Sequence, residues 1–257
     1  MTRDRLSPAA ALIEAEALAA RAPEALTLIE AMLAALRTQT AETPAQVFAL
    51  DDITPDGLRL LDQVLGRGEI AGRLDGPDGT TVTVQESVLT GVWRLHRQNA
   101  AGETVARWIE VAAIPTVVAA YTAPKDAASL ECAVPADASP LVMPVLTEIA
   151  WHAAHGAPDR PNHVINLTLL PLSPCDREHV RQTLGRGGLG LRGQEYGACE
   201  IDATALRRVW TVRYLNASDT VVLDTIEIGG VPAAARAATE DFADSAERLA
   251  SLRDAYL

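Results

Sequence analysis

Apolar and polar residues alternate in two matching stretches of the chain. Residues 90–115 read TGVWRLHRQNAAGETVARWIEVAAIP, and residues 207–232 read RRVWTVRYLNASDTVVLDTIEIGGVP, 117 positions later. Alternation with a period of two is typical of a strand that buries one face. NAAGE and NASDT interrupt the alternation with residues that favour turns. Each stretch therefore predicts an antiparallel β-hairpin.

The alternation also predicts which side chains each hairpin buries. Successive side chains on a strand point to opposite faces, so residues an even number of positions apart share a face. A shift of one residue would turn the apolar set toward water, so the same parity in both copies supports the assignment. The predicted buried sets are Trp93 and Leu95 with Val105, Ile109 and Val111, and Trp210 and Val212 with Val222, Ile226 and Ile228.

Helical periodicity precedes each hairpin. Apolar residues recur at helical spacing in residues 24–39 and again in residues 141–156. A short apolar run, predicted to be a strand, follows each helix, at residues 47–50 and 164–170. Each copy thus begins with a helix and a strand.

Local signals place a second helix in each copy. Thr54 and Ser173 each precede a proline, which is the pattern of an N-cap hydroxyl followed by proline at the first helical position. Glycine is the usual residue just past a helix end. The second helices are therefore expected to end at Gly66 or Gly68 and at Gly185 or Gly187, and closing helices are expected after Pro115 and Pro232.

These elements predict an α+β fold built from two tandem copies of one unit. The unit is helix–strand–helix–β-hairpin–helix, and the copies are expected to be related by a pseudo-two-fold axis. Residues 1–125 form the first and more divergent copy, with an extra N-terminal helix. Residues 126–140 are a predicted linker, and residues 141–257 form the second copy.

Composition and charge narrow the class of protein. The 257 residues are 48% hydrophobic and carry a net charge of −12, which disfavours a nucleic-acid partner because phosphate binding requires clustered Lys and Arg. No apolar run is long enough to predict a membrane helix, and Glu14 and Glu16 interrupt the only candidate signal-peptide segment. Three cysteines favour a reducing compartment over a disulfide framework. We therefore expect a cytoplasmic protein.

Candidate chemistry is sparse. Gly185, Gly187 and Gly190 match G-x-G-x-x-G, but a helix precedes them where a dinucleotide site requires a strand, so we interpret them as a helix end. No nucleophile elbow or phosphate-binding loop is present. Glu110 and Glu227 are expected to face away from their apolar neighbours, at a solvated edge or in an ion pair. The sequence predicts neither an enzyme nor a bound cofactor.

A metal site remains an alternative. His152 and His155 lie three residues apart on a predicted helix and can share a face. Together with His163, Cys175 or Cys199 they could hold a transition metal, because imidazole and thiolate are the ligands such ions prefer. Ordinary, partly exposed histidines explain the same spacing.

The second copy resembles a known family. EYGACEI (residues 195–201), the hairpin from residue 209 to 232, and ATEDFADSAERL (residues 238–249) are similar to the HupH/HyaF hydrogenase expression proteins, which include HoxQ. NLTLLPLSPCDREHVRQTLGRG, residues 166–187, fits the same family. The first copy shows the resemblance only through its likeness to the second.

The resemblance implies an accessory role in maturing uptake [NiFe] hydrogenases. It implies a chaperone or assembly factor, not an enzyme, for the iron–sulfur small subunit before export, acting with a thioredoxin-like protein. The small-subunit precursor carries a basic twin-arginine signal, for which an acidic protein is a suitable partner. The partner-binding candidates, all from the second copy, are Tyr196, Cys199, Arg213, Tyr214, Asn216, Asp219, Asp224, Glu240, Asp241 and Asp244.

Two other functions stay open. One is a metal or iron–sulfur scaffold that uses Cys199 with Cys175, His152 or His155. The other is an uncharacterised enzyme with a site between the two copies.

Overall fold

The computed structural model describes residues 17–126, 130, 138–156, 160–193 and 198–256. Tyr196, one of the predicted partner-binding residues, and most of the predicted linker lie outside the described residues.

The same order of elements occurs twice along the chain, and both copies mix helices with antiparallel strands. The first copy holds α1 (Pro23–Leu36), β1 (Gln46–Ala49), α2 (Pro55–Leu65), β2 (Ala71–Asp75), β3 (Thr81–Glu86), β4 (Val92–Gln98), β5 (Thr104–Val111) and α3 (Thr116–Ala119). The second holds α4 (Val142–His155), β6 (His163–Asn166), α5 (Pro174–Leu184), β7 (Leu189–Gly193), β8 (Cys199–Ala203), β9 (Val209–Leu215), β10 (Val221–Ile228), a 3₁₀ turn (Ala233–Ala235) and α6 (Thr239–Tyr256).

The α+β class is confirmed, but the predicted unit omitted two strands from each copy. β2 and β3 lie between α2 and the first hairpin, and β7 and β8 lie between α5 and the second. The sequences AGRLD, LGLRG and CEIDA place charged or small residues at every second position. Each of these three strands has at most two large apolar residues, so the alternation is present but too short to predict a strand by itself.

The caps of the second helices are confirmed. The Thr54 hydroxyl accepts a hydrogen bond from Gly57 N at 3.1 Å, and the Ser173 hydroxyl accepts one from Asp176 N at 3.1 Å. Gly66 and Gly185 follow the last helical residues with φ of 53° and 67°, a region that favours glycine. Of the two glycines predicted at each end, the first is the cap.

The predicted hairpins β4–β5 and β9–β10 are present, but Val105 and Val222 do not belong to the buried sets. Their side chains are 54% and 53% exposed, whereas Ile109 and Ile226 are fully buried. A register shift occurs in each hairpin, between Arg97 and Gln98 opposite Val105, and at Val222 itself. A bulge inserts one extra residue and reverses the alternation beyond it. A strict period of two residues therefore assigns Val105 and Val222 to the wrong face.

Contacts divide the chain into two compact units that differ from the sequence copies. Unit 1 contains residues 1–68, 84–115 and 237–257, and unit 2 contains residues 69–83 and 116–236. By sequence, α6 belongs to the second copy, yet it lies in unit 1; β2 and α3 belong to the first copy, yet they lie in unit 2.

In unit 1, helices pack on antiparallel strands in the order β1-β5-β4. Its core joins α1 and α2 to Ile109 and Val111 of β5, and Phe242 and Leu249 of α6 are buried in the same cluster. Gly91, with φ of 80°, lets the Phe242 ring pack directly on the loop before β4, because a Cβ there would lie 2.4 Å from Cε1 of that ring.

Unit 2 contains strands in the order β2-β7-β8-β9-β10-β6, each antiparallel to its neighbour. Apolar residues of α4 and α5 share a core with Ile165 of β6, Val209 of β9, and Ile226 and Ile228 of β10. These helices cover the β9, β10 and β6 end of the sheet.

The closing segments differ from the two predicted helices. α3 has only four residues, and Pro232 precedes a 3₁₀ turn; the long helix begins at Thr239. Ala238 N donates a hydrogen bond to Asp241 Oδ2 at 2.6 Å, and this contact fixes the helix start. No helix among the described residues has the length and hydropathy needed to cross a bilayer.

Candidate functional site

One face of the unit 2 sheet carries a lattice of charged side chains, which we call the charged face. The register pairs Arg192 with Glu200, Glu200 with Arg213, and Arg213 with Asp224, so side chains from four adjacent strands point the same way. Arg73 of β2 and Asp202 of β8 share this face through their pairing with Gly190.

A groove of about 950 Å³ opens over the charged face. Strands β2, β7, β8 and β9 form its floor, and the end of α5 with the glycine-rich segment after it forms one wall. Gly188 is required by close approach, because a Cβ there would lie 2.6 Å from the backbone oxygen of Asp75. A Cβ at Gly190 would lie 2.8 Å from Asp202 Oδ1, at the end of a side chain that can move aside. Although the chain is acidic overall, five arginines and three carboxylates line the groove: Arg73, Arg181, Arg186, Arg192 and Arg213, with Asp75, Glu178 and Asp202.

Ion pairs hold most of these arginines in place. Arg192 Nη1 lies 2.9 Å from Asp202 Oδ1, and its Nε lies 3.7 Å from Glu200 Oε1. Arg213 pairs with the other oxygen of Glu200. A carboxylate shared between two guanidinium groups orients both, so the groove presents its positive groups in fixed positions.

Asp224 lies at the β10 end of the charged face and is almost completely buried, at 2% exposure. It forms an ion pair with Arg181 of α5, and its second oxygen, Oδ1, has no hydrogen-bond partner within the described part of the chain. Burial raises the pKa of this carboxyl, and the charges of Arg181 and Arg213 oppose the rise. Of the predicted partner-binding residues, Arg213 and Asp224 are thus brought together as cross-strand neighbours.

Cys199 and Tyr214 face the opposite side of the same sheet. They form a direct cross-strand pair between β8 and β9, one position out of phase with Glu200 and Arg213. Burial raises the pKa of the Cys199 thiol, and a hydrogen bond with Tyr214 partly offsets the rise. A thiol that resists ionisation is a poor nucleophile and a poor metal ligand.

Asn216 and Asp219 build the turn of the second hairpin. Asn216 Oδ1 accepts hydrogen bonds from Ser218 N at 2.9 Å and Thr220 N at 3.0 Å, and Asp219 has φ of 56°. In the first copy, Asn99 makes equivalent bonds, and Gly102 has φ of 81° at the position equivalent to Asp219. The shared asparagine is therefore a turn residue in both copies.

The predicted acidic residues near the end of the chain lie on α6, in unit 1. Glu240 and Asp244 are exposed, as is Glu247 one turn further along. Asp241 is only partly exposed, because it caps its own helix.

The prediction that Glu110 could lie at a solvated edge is wrong. Glu110 is 2% exposed and accepts a hydrogen bond from Trp108 Nε1 at 2.7 Å.

A second cluster in unit 2 brings together two of the predicted metal ligands, His152 and His163, with Glu148, which was not predicted. Glu148, His152 and His163 place one ligand atom each within 4.8 Å of one another. His155 turns its Nδ1 to Trp151 O at 2.9 Å, and neither Cys175 nor Cys199 belongs to the cluster. Burial is the main cause that lowers the pKa of His152, and the nearby His163 adds to it.

Sequence reasoning missed most of the groove. Arg192, Glu200 and Asp202 were not candidates, because no strand was assigned to the segments that hold them. Arg181 lay on a predicted helix, where nothing marked its distant partner Asp224. The alternation of charged with apolar or small residues in LGLRG and CEIDA was the available signal, since it predicts strands with one charged face.

Comparison with known proteins identifies relatives over most of the chain. The family model described as HupH hydrogenase expression protein, C-terminal conserved region, matches residues 20–131 and again residues 142–256. The likeness therefore extends to the first copy, where the sequence alone showed it only indirectly.

Individual relatives agree with the family match. The hydrogenase expression/formation protein HupH of Rhizobium leguminosarum bv. viciae is 39% identical over 242 residues, which cover 94% of this chain and 86% of the relative. The hydrogenase-1 operon protein HyaF of Escherichia coli (strain K12) is 30% identical over 229 residues, covering 86% of this chain and 79% of the relative.

One solved structure is also similar. The hydrogenase expression protein HupH from Thiobacillus denitrificans ATCC 25259 is 34% identical and matches 47% of this chain and 99% of its own, with a TM-score of 0.43. By the two family matches and the identity to curated relatives, the chain belongs to the HupH family of hydrogenase expression proteins.

Proposed function

We propose that this protein is a non-enzymatic accessory factor that binds the precursor of a hydrogenase small subunit in the cytoplasm before export. The observation that carries the proposal is membership of a family whose members are named for hydrogenase expression and formation, with the family match present in both halves of the chain. A thioredoxin-like co-chaperone is a further proposed partner.

The exposed acidic residues of α6 support recognition of a basic segment. Glu240, Asp244 and Glu247 point into solvent from one helix, within a chain of net charge −12. A twin-arginine signal is short and basic, so complementary charge would speed its encounter with this helix. Such an attraction weakens as salt screens it.

The groove of unit 2 supports contact with a polar segment of the partner. Its arginines are already oriented by ion pairs, which reduces the ordering cost when a partner carboxylate or carbonyl binds. Asp224 acts indirectly by holding Arg181. Because Cys199 faces away from the groove and its pKa is raised, a binding role fits this surface better than thiol chemistry.

A pull-down with the full chain tests the proposal. The bait is the tagged protein, and the prey is the small-subunit precursor with or without its twin-arginine segment, at low and moderate salt. Capture that weakens when the segment is removed and when salt rises is the expected result. If neither form is captured by well-folded protein, even with the co-chaperone added, the proposal fails.

Charge variants locate the contact. The triple variant Glu240→Gln, Asp244→Asn, Glu247→Gln removes three exposed acidic charges from α6. A matched control removes three from elsewhere in unit 1, as Glu42→Gln, Asp51→Asn, Asp52→Asn. We expect the α6 variant to lose more capture, and more of its salt dependence, than the control. Equal losses would show that net charge, not α6, attracts the precursor.

A further inference from the structure

Three side chains with metal-binding chemistry meet where α4 runs beside β6. Glu148 and His152 lie one helical turn apart on α4, and His163 is the first residue of β6. One ligand atom from each lies within 4.8 Å of the other two. Two imidazoles and a carboxylate are a common ligand set for divalent transition metals.

The contacts within the cluster hold the ligand atoms close together without a metal. His163 Nε2 lies 2.7 Å from Glu148 Oε1, which is hydrogen-bond distance. The rings of His152 and His163 stack with their centroids 3.4 Å apart and their planes 9° apart. Parallel rings do not aim their nitrogens at one point, so an ion would turn the rings apart and replace the contact between His163 and Glu148.

The backbone around the cluster is fixed while its side chains can turn. Leu146 and Ile149 anchor α4 in the core of unit 2, and Ile165 anchors β6 in the same core. Glu148 is exposed, and both histidines are partly exposed. Small side-chain rotations on a rigid backbone are therefore enough to reach metal–ligand distances of about 2.0–2.2 Å.

We propose that Glu148, His152 and His163 bind one divalent transition-metal ion such as Zn²⁺ or Ni²⁺, with water completing the coordination. Nitrogen and oxygen ligands suit these ions, and no thiolate is required. The site is built by unit 2 alone and does not involve the acidic residues of α6, so metal binding and precursor capture can succeed or fail separately.

Trp151 provides an optical reporter for this site. Its side chain is 56% exposed, and its ring lies edge-on to the His152 ring with centroids 4.8 Å apart. Bound Ni²⁺, with its partly filled d shell, would quench this nearby fluorescence. Trp151→Phe should remove most of the quenching while leaving the affinity for the ion unchanged.

The test uses full-length, tag-free protein from which metals have been removed by a chelator, in a buffer that does not bind metal. Calorimetric titration with Zn²⁺, and fluorescence titration with Ni²⁺, should each show one ion per chain. His152→Ala and His163→Ala remove ligands, so each should weaken binding by more than the roughly 10–100-fold expected for a change outside the ligand shell. Glu148→Gln should weaken it as well.

Two histidine variants serve as controls. His155→Ala removes an imidazole next to the cluster, and His179→Ala removes one from α5. Both should retain the affinity for Zn²⁺, and circular dichroism with a urea-unfolding midpoint should show that every variant is folded. The proposal is wrong if stoichiometric binding is absent, if it survives in folded His163→Ala, or if it depends on His155.

Discussion

Cys199 and Asp224 both become harder to ionise when the chain folds. In each case burial is the largest cause of the raised pKa, because removing a charge from water is costly. The neighbours differ: Asp224 forms an ion pair with Arg181, whereas the Cys199 thiol has a hydrogen bond with Tyr214 and a smaller effect from the charge of Arg192. Folding thus assigns Asp224 to an ion pair and leaves Cys199 as a neutral thiol.

The raised pKa of Cys199 predicts slow alkylation. Two variants each keep one of these cysteines: Cys132→Ser, Cys175→Ser keeps Cys199, and Cys132→Ser, Cys199→Ser keeps the exposed Cys175. At pH 8, Cys199 should react with iodoacetamide several-fold more slowly than Cys175, because the thiolate is the reacting species. Mass spectrometry over time measures both rates. Adding Tyr214→Phe should slow Cys199 further, since Tyr214 favours the thiolate. Equal rates for the two cysteines would contradict the burial of Cys199.

Gly91 and Gly102 allow a matched test of packing against backbone strain. Their φ angles are 80° and 81°, but a Cβ at Gly91 would meet the Phe242 ring, whereas a Cβ at Gly102 would meet nothing within 4 Å. Gly102→Ala should cost about 1–3 kcal/mol of unfolding free energy from strain alone. Gly91→Ala should cost about 1–3 kcal/mol more from overpacking. Urea unfolding measures both, and equal costs would mean that the Phe242 ring moves away freely.

At the scale of elements, the start of the second helix is stabilised differently in the two copies. In α5, Asp176 Oδ2 accepts hydrogen bonds from Ser173 N and Oγ, which completes a capping box. Gly57 occupies the equivalent position in α2 and has no side chain. There Glu24 of α1 accepts from Thr54 N at 3.2 Å and from Thr54 Oγ1 at 2.6 Å. A carboxylate from another helix thus replaces the local one.

The capping box of α5 predicts a pH dependence of stability. Hydrogen bonds from Ser173 and from Ser139 N lower the pKa of Asp176 in the folded state below 3.8, its ordinary value. The ionised carboxylate therefore stabilises the fold above about pH 4, and this contribution is lost as the pH falls through the folded-state pKa. Asp176→Asn should be less stable than the parent at pH 7, and the difference should shrink below pH 4.

Urea midpoints measured from pH 7 to pH 3 check this dependence. Asp52→Asn, which removes an exposed carboxylate of unit 1, is the control and should follow the parent across the range. A difference for Asp176→Asn that stays constant with pH would show that the carboxylate's charge does not stabilise the helix start.

At the scale of the whole molecule, the two compact units do not coincide with the two sequence copies. α6 follows the second hairpin in the chain but buries Phe242 and Leu249 in the core of unit 1, beside α1. In unit 2, β2 from the first copy pairs with β7 from the second. Each unit therefore needs residues from both halves of the chain, so we expect that neither half alone retains the fold described here.

Phe242→Ala tests the placement of α6. Removing this buried ring should destabilise unit 1 by about 3–5 kcal/mol. Amide hydrogen exchange should then rise mainly in α1 and α6 and much less in α4 of unit 2. Phe48→Ala, at the only other phenylalanine, removes a partly buried ring and should have a smaller effect. Exchange that rises chiefly in α4 would contradict the assignment of α6 to unit 1.

The sequence alone determined the features that depend on neighbours along the chain. Local backbone preferences, and hydrogen bonds between residues a few positions apart, explain these features. They are the repeat, the two hairpins, the hydroxyl caps at Thr54 and Ser173, and the glycines that end the capped helices. The family resemblance was also visible in sequence, since it rests on an ordered series of residues.

Only the tertiary structure decided which distant residues meet. The pairing of β7 with β2, and of β8 with β9, joins charges from separate segments into one face and turns Cys199 to the other. The cluster of His152 with His163 in place of His155, and the packing of α6 in unit 1, depend in the same way on contacts between segments distant in sequence. Local preference cannot specify such contacts, because they form only when burial of a common core brings the segments together.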